Sequence, residues 1–190
     1  MAAAALDDLK VVEYATMVSG PMCGKLFADM GAEVIKIEPP GVGDEARSHP
    51  PFPADIPHPE KSGLFLYLNT SKKSVTLDPA TAGGAEIFKS LVRDADVLIE
   101  NHPPGHLESL GFGYEALHAL NPRLIVTSVT PFGQSGPYAG WKGSDLIEWA
   151  MSLTGYNTPT LINDSASENP LRAPGRQADM MGATTAAAEL

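Results

Sequence analysis

The sequence predicts an α/β fold, a Rossmann-like parallel sheet flanked by helices. Three observations lead there. Short β-prone runs alternate with longer amphipathic runs along residues 9–129. The opening stretch, 9–38, is by itself a complete strand, turn, helix and strand, and two short strands joined that way pair in parallel through a crossover. Finally, 43% of the 190 residues are hydrophobic, enough to build a core on both faces of such a sheet.

In order along the chain, Leu9, Val11 and Val12 form the first strand. Ser19-Gly20-Pro21 supplies an N-cap candidate followed by a residue preset for a first helical turn. Met22, Cys23, Leu26, Phe27 and Met30 then share one helical face, and Gly31 stands where a C-cap glycine would. Val34, Ile35 and Ile37 make the second strand. Residues 39–63 are rich in Pro and Gly, too long for a plain connection, and read as an excursion across a site. Segments 64–68 and 74–77 are strand candidates around the polar turn Asn69-Thr70-Ser71-Lys72-Lys73, whose lysines are either solvated turn charge or a phosphate contact.

Asp78-Pro79 is expected to open a helix carrying Ile87, Phe88, Leu91 and Val92, followed by a buried strand at 96–100. Asn101-His102-Pro103-Pro104-Gly105 falls just past that strand end, where a doubly wound sheet places ligand contacts, although a turn alone would explain its prolines and glycine. A short helix at 114–120 and a strand at 124–129 complete the alternation. Leu146, Ile147, Trp149, Ala150 and Leu153 mark an amphipathic helix, residues 155–175 are polar and Pro-interrupted, and 178–190 form an Ala-rich helix. Asp179, near the start of that helix, is open to two readings: an acid stabilised by the helix dipole with no further role, or a functional carboxylate.

Charge and composition exclude several function classes. A formal net charge of -10 argues against a nucleic-acid surface, which needs clustered Lys and Arg. No apolar run approaches the roughly 20 residues of a membrane span. The single cysteine, Cys23, cannot form an internal disulfide, and no leader-like apolar segment opens the chain, so a cytoplasmic location is expected. Cys23 lies on an apolar helix face and reads as a core residue rather than a nucleophile. Gly41-Val42-Gly43-Asp44-Glu45-Ala46 fits the dinucleotide fingerprint formally, yet it follows Pro39-Pro40 rather than a strand and runs into Pro50-Pro51 rather than a helix. The fold is therefore expected without a dinucleotide site.

Several stretches taken together resemble the family III CoA-transferases, a group with formyl-CoA transferase, carnitine CoA-transferase and the α-methylacyl-CoA racemases. They are Leu9-Lys10-Val11-Val12-Glu13 with Ser19-Gly20-Pro21, Gly31-Ala32-Glu33-Val34-Ile35-Lys36-Ile37-Glu38-Pro39-Pro40 with Gly43-Asp44, and Leu68-Asn69-Thr70-Ser71-Lys72-Lys73-Ser74. Asp96-Val97-Leu98-Ile99-Glu100-Asn101, Leu120-Asn121-Pro122-Arg123-Leu124-Ile125, Gly133-Gln134-Ser135-Gly136-Pro137-Tyr138 and Ala178-Asp179-Met180-Met181-Gly182 follow in the same order. Each motif is weak alone; the ordered series is specific.

The resemblance implies that Asp179 is a nucleophile that carries CoA as an aspartyl thioester between an acyl-CoA donor and a carboxylic acid acceptor. It also implies that Met17, Val18, Ser19, Asn69, Lys72, Lys73, Asn101, His102 and Lys142 lie along the CoA path, Lys142 being the best cation for a CoA phosphate. CoA enters as substrate; no permanently bound cofactor and no metal are expected. Two departures bear on function. Ser144 stands where the racemases carry His, which removes one partner of a two-base proton exchange and favours transfer. Pro39, Pro103 and Ser109 stand where arginines usually contact adenine and phosphate, which implies a weaker or rearranged CoA contact.

Family members are about twice this size, so residues 1–190 are expected to be the N-terminal part of a CoA-transferase large domain, with the family's smaller second domain absent. Either the chain is part of a longer protein or another chain supplies the rest, and an interlaced homodimer or hetero-oligomer is the expected assembly. The alternatives to a transferase are a non-catalytic CoA-binding or partner subunit, and an acyl-CoA racemase.

Overall fold

A computed structural model describes residues 4–155, 171 and 173–190. Its centre is a parallel sheet of β1 (Lys10–Tyr14), β2 (Glu33–Glu38), β3 (Lys73–Thr76), β4 (Val97–Glu100) and β5 (Ile125–Ser128), in the spatial order β3-β2-β1-β4-β5. The helices are α1 (Ser19–Asp29), α2 (Gly63–Leu68), α3 (Ala82–Arg93), α4 (His106–Ser109), α5 (Tyr114–Leu120), α6 (Asp145–Met151) and α7 (Gln177–Ala188).

Alternation along each strand divides the core into two layers. Val11, Val34, Val97 and Ile99 face Cys23, Phe27 and Ala28 of α1 and Ala183 of α7. Val12, Ile37 and Leu98 face Phe88 and Val92 of α3, Leu107 of α4 and Leu117 of α5. Cys23 is fully buried, and its thiol is pushed up to about 12, by burial first and then by the Glu13 carboxylate. At that value it is a core side chain and not a nucleophile.

Three expectations change at the level of local structure. Residues 64–68 are helix, not strand, because the Ser62 hydroxyl accepts a hydrogen bond from the Phe65 amide at 3.1 Å and starts a turn that buries Leu68 while leaving Leu66 and Tyr67 exposed. The cap of α3 is Thr81 and not Asp78: its Oγ1 accepts from the Gly84 amide at 3.1 Å. Ser19 is the first residue of α1, after Val18, rather than a side-chain cap, whereas Gly31 follows the C-cap Met30 with a φ of 106°. The formal fingerprint at 41–46 leads into a 3-10 turn, Glu45–Ser48, and has no helix to offer a pyrophosphate. Most of the polar segment 155–175 lies outside the described residues.

Under α1 the core turns ionic. Glu13 of β1 and Lys36 of β2 are register partners, and the ammonium of Lys36 lies 2.8 Å from Glu13 Oε1, 2.7 Å from Asp44 Oδ2 and 2.9 Å from the Ala15 carbonyl oxygen. The Lys72 ammonium lies 2.7 Å from Glu13 Oε2. Burial raises the Glu13 carboxyl, but Lys36 and then Lys72 outweigh it and hold the group below the ordinary glutamate range. Burial likewise lowers Lys36, and Glu13 and Asp44 reverse that. The helix can pass over these charges because residue 24 is glycine: a Cβ there would lie 2.1 Å from Glu13 Oε2. Removing one member strands its partners without compensation. Lys36→Met should therefore lower unfolding stability by about 3–5 kcal/mol in a denaturant titration; a loss under about 1 kcal/mol would contradict this assignment.

Candidate functional site

The strand order reverses between β1 and β4, so the loops leaving their C-terminal ends diverge and open a crevice. A cavity of about 800 Å³ occupies it, with Met17, Ser19 and Asn101 on the sheet side and Asp145, Glu148 and Asp179 on the helix side. The sheet side is held tightly. The Asn101 side chain accepts from the Thr16 amide at 3.0 Å and donates to the Thr16 carbonyl at 2.7 Å and to Ser19 Oγ at 3.1 Å. Met17 has a φ of 62°, and its amide donates to Asp44 Oδ1 at 3.0 Å, which ties the cavity floor to the buried charges.

On the helix side the cavity wall includes Asp145, which the sequence reading did not single out as a site residue. It opens α6, yet its Oδ1 accepts from the Ala178 amide at 2.9 Å and so caps α7, whose own N-cap residue, Arg176, makes no side-chain cap. Its Oδ2 is buried among the cavity-lining groups with no hydrogen-bond partner among the described residues. Asp179 sits in the first turn of α7, its side chain 18% exposed, with Oδ2 3.5 Å from Nη1 of Arg176. Burial raises the Asp179 carboxyl, Arg176 opposes this and Asp145 adds to it, leaving the group above the ordinary aspartate range. The Ala178 amide is thus taken by Asp145 and not by Asp179, which keeps its place in the first turn of α7, close to the helix N-terminus.

Glu148 lies one helical turn beyond Asp145 and lines the same cavity. Burial pushes its carboxyl up to about 7, with Asp179 and then Asp145 adding to the rise. The spacing Asp145-Leu146-Ile147-Glu148 was the available signal for this pair, since it puts both acids on one helix face. For Arg176 the only signal was its position three residues before Asp179.

The other residues placed along the path are scattered. Val18 is buried beneath the start of α1. Asn69 ends α2, where its amide donates to the Phe65 carbonyl and its oxygen accepts from Lys72. Lys72 is buried, its ammonium engaged by Glu13, the Pro21 carbonyl and Asn69, and burial lowers it to about 8 against the pull of Glu13. Lys73 is exposed and pairs with Glu33. His102 stacks on His106 and lies tilted against Tyr14, with ring centroids 4.3 Å apart in each pair, and burial followed by His106 pushes it down to about 4. Its ring thus belongs to the layer of Tyr14 and not to the cavity. Lys142 is exposed and stands next to Gly143, which lines the cavity. No helix among the described residues is long and apolar enough to cross a membrane.

The raised carboxyl of Glu148 gives a signed pH test. An unfolded glutamate releases its proton near 4.5, and the folded protein holds this one until about 7, so the native state binds the proton more tightly and loses stability as pH rises through that window. Glu148→Gln should therefore melt at a higher temperature than the parent at pH 8, with the gap closing towards pH 4. A gap that stays constant across this range would show that Glu148 titrates normally.

Comparison with known proteins agrees with this geometry. The model of CoA-transferase family III matches residues 6–190. Succinyl-CoA–D-citramalate CoA-transferase of Chloroflexus aurantiacus is 42% identical over 173 residues, covering 86% of this chain and 41% of that protein. Formyl-CoA:oxalate CoA-transferase of Escherichia coli O139:H28 is 38% identical over 166 residues, covering 85% and 39% respectively. A CaiB/BaiF family protein from Brucella suis superposes with a TM-score of 0.85 at 34% identity, over 99% of this chain and 48% of that one. The chain thus spans about two fifths of the curated relatives it matches. With the sheet order, the crevice and the ordered motifs all in agreement, the chain belongs to CoA-transferase family III.

Proposed function

We propose that the protein carrying this chain transfers CoA from an acyl-CoA donor to a small carboxylic acid, with Asp179 as the covalent carrier. The observation that carries this reading is the place of Asp179: first turn of α7, on the wall of the strand-end cavity, beside a guanidinium and clear of the capping bond that Asp145 makes. The names of the relatives support an acid acceptor, for they pair CoA with citramalate, oxalate, or succinate and glutarate.

The chemistry suits a carboxylate. An Asp179 oxygen attacks the thioester carbonyl, the C–S bond breaks, and CoA leaves as thiolate from a mixed anhydride. The thiolate attacks the aspartyl carbon and releases the donor acid, leaving an aspartyl thioester. The acceptor carboxylate attacks that same carbon and expels the thiolate, which then attacks the acceptor's acyl carbon and returns Asp179 to its carboxylate form. No net proton is needed at any step. The α7 N-terminus and Arg176 favour the ionised state that the attack requires, against the burial that raises it.

Met17, Ser19 and Asn101 offer the sheet-side contacts for CoA, and the exposed Lys142 a phosphate contact at the rim. Val18, Asn69, Lys72, Lys73 and His102 act by shaping the strand ends, since their side chains are buried or already paired.

Mass spectrometry of the whole protein during turnover should find an acyl or CoA adduct on Asp179 that hydroxylamine removes. Asp179→Asn should abolish transfer and leave CoA binding within about twofold. Full activity in that variant, or turnover with Asp179 unmodified, would refute the mechanism. Lys142→Ala should weaken CoA binding by about 1 kcal/mol and flatten its salt dependence, whereas an unchanged salt slope would leave Lys142 a solvated lysine.

A further inference from the structure

The cavity presents an electrostatic problem for the proposed reaction. Its described wall carries Glu45, Asp145, Glu148 and Asp179, and an acid acceptor arrives as an anion. Among the described lining residues Arg176 is the only cation. We propose that Arg176 is the group that receives the carboxylate of the acid acceptor and presents it to Asp179, an assignment that rests on the transferase reading above.

Three features support it. The guanidinium is 37% exposed, so it is open to the cavity yet partly shielded from water. Its one ion-pair contact among the described residues, Nη1 to Asp179 Oδ2 at 3.5 Å, is too long for a strong hydrogen bond, so no described residue competes strongly with a carboxylate for the planar fork of donors. That contact also sets the fork beside the carboxyl carbon on which the acceptor must act.

The surrounding acids sharpen the requirement. Asp145 Oδ2 is buried with no hydrogen-bond partner among the described residues, so a carboxylate bound nearby without a cation would face another carboxyl group across the cavity. Burial and its acidic neighbours keep Glu148 partly protonated near neutrality, which relieves a share of that field. The remainder falls to Arg176. The same fork would hold the donor acid as it leaves, because the acid departs from and arrives at the same aspartyl carbon. Selection between acids would then depend on what surrounds Arg176, whereas CoA affinity would not.

The test uses the whole protein and two probes, oxalate and succinate. Phenylglyoxal modifies arginine, and peptide mass spectrometry reports each site separately, with the exposed Arg123 as internal control. Either acid at millimolar concentration should slow modification of Arg176 at least fivefold relative to chloride at equal ionic strength, leave Arg123 unaffected, and do so in Asp179→Asn as well as in the parent. Arg176→Gln should raise KM for the acid at least tenfold while the Kd for CoA moves less than twofold, and Arg176→Lys should fall between. Equal modification of Arg176 with acid and with chloride, or a KM that does not change, overturns the assignment. Absence of an Asp179 adduct in the parent would instead overturn the transferase mechanism while leaving protection of Arg176 measurable.

Discussion

The structure depends on four charges sealed beneath one helix. Glu13, Lys36, Asp44 and Lys72 come from β1, β2, the loop after β2 and the turn before β3, and each is held only because the others are present. Pairs of this kind contribute little net stability relative to apolar residues of the same volume. What they impose is register. Lys36 reaches the Ala15 carbonyl, and Asp44 reaches both the Met17 and Ala46 amides, so a slip of either strand would break bonds at the cavity floor as well as in the core.

The same logic extends outward from Asp44. Its amide donates to Glu38, whose carboxylate takes a two-point contact from Arg47 at 2.7 and 2.8 Å and a hydrogen bond from Ser74. Glu38 is held down to about 2; burial alone would raise it, and Arg47 followed by Ser74 reverses that. The long excursion after β2 is thus not loose: it is pinned at its root by a chain of carboxylates that ends at the site. The helix side uses a different device, a cap lent by one helix to another, while Ala183 of α7 packs directly against α1 and the sheet.

Much of this was legible in the sequence. The strands and most helices followed from hydrophobic period, and the parallel order from the βαβ opening, because side-chain direction is set locally. Segment 64–68 misled because five apolar or aromatic residues carry no period, and only the Ser62 cap decided between strand and helix. Asp179, Met17, Ser19 and Asn101 were singled out from the family resemblance, and all four line the same cavity. Lys72 looked like surface turn charge or a phosphate contact; nothing local announces that its partner is a glutamate some sixty residues earlier on another strand. Asp145, Glu148 and Arg176 escaped for the same reason, since their meaning arises where α6 meets α7.

The bond from Asp145 to the Ala178 amide ties the start of α6 to the start of α7. The start of α7 thus takes its position from α6, so the geometry around Asp179 depends on a residue far from it in sequence.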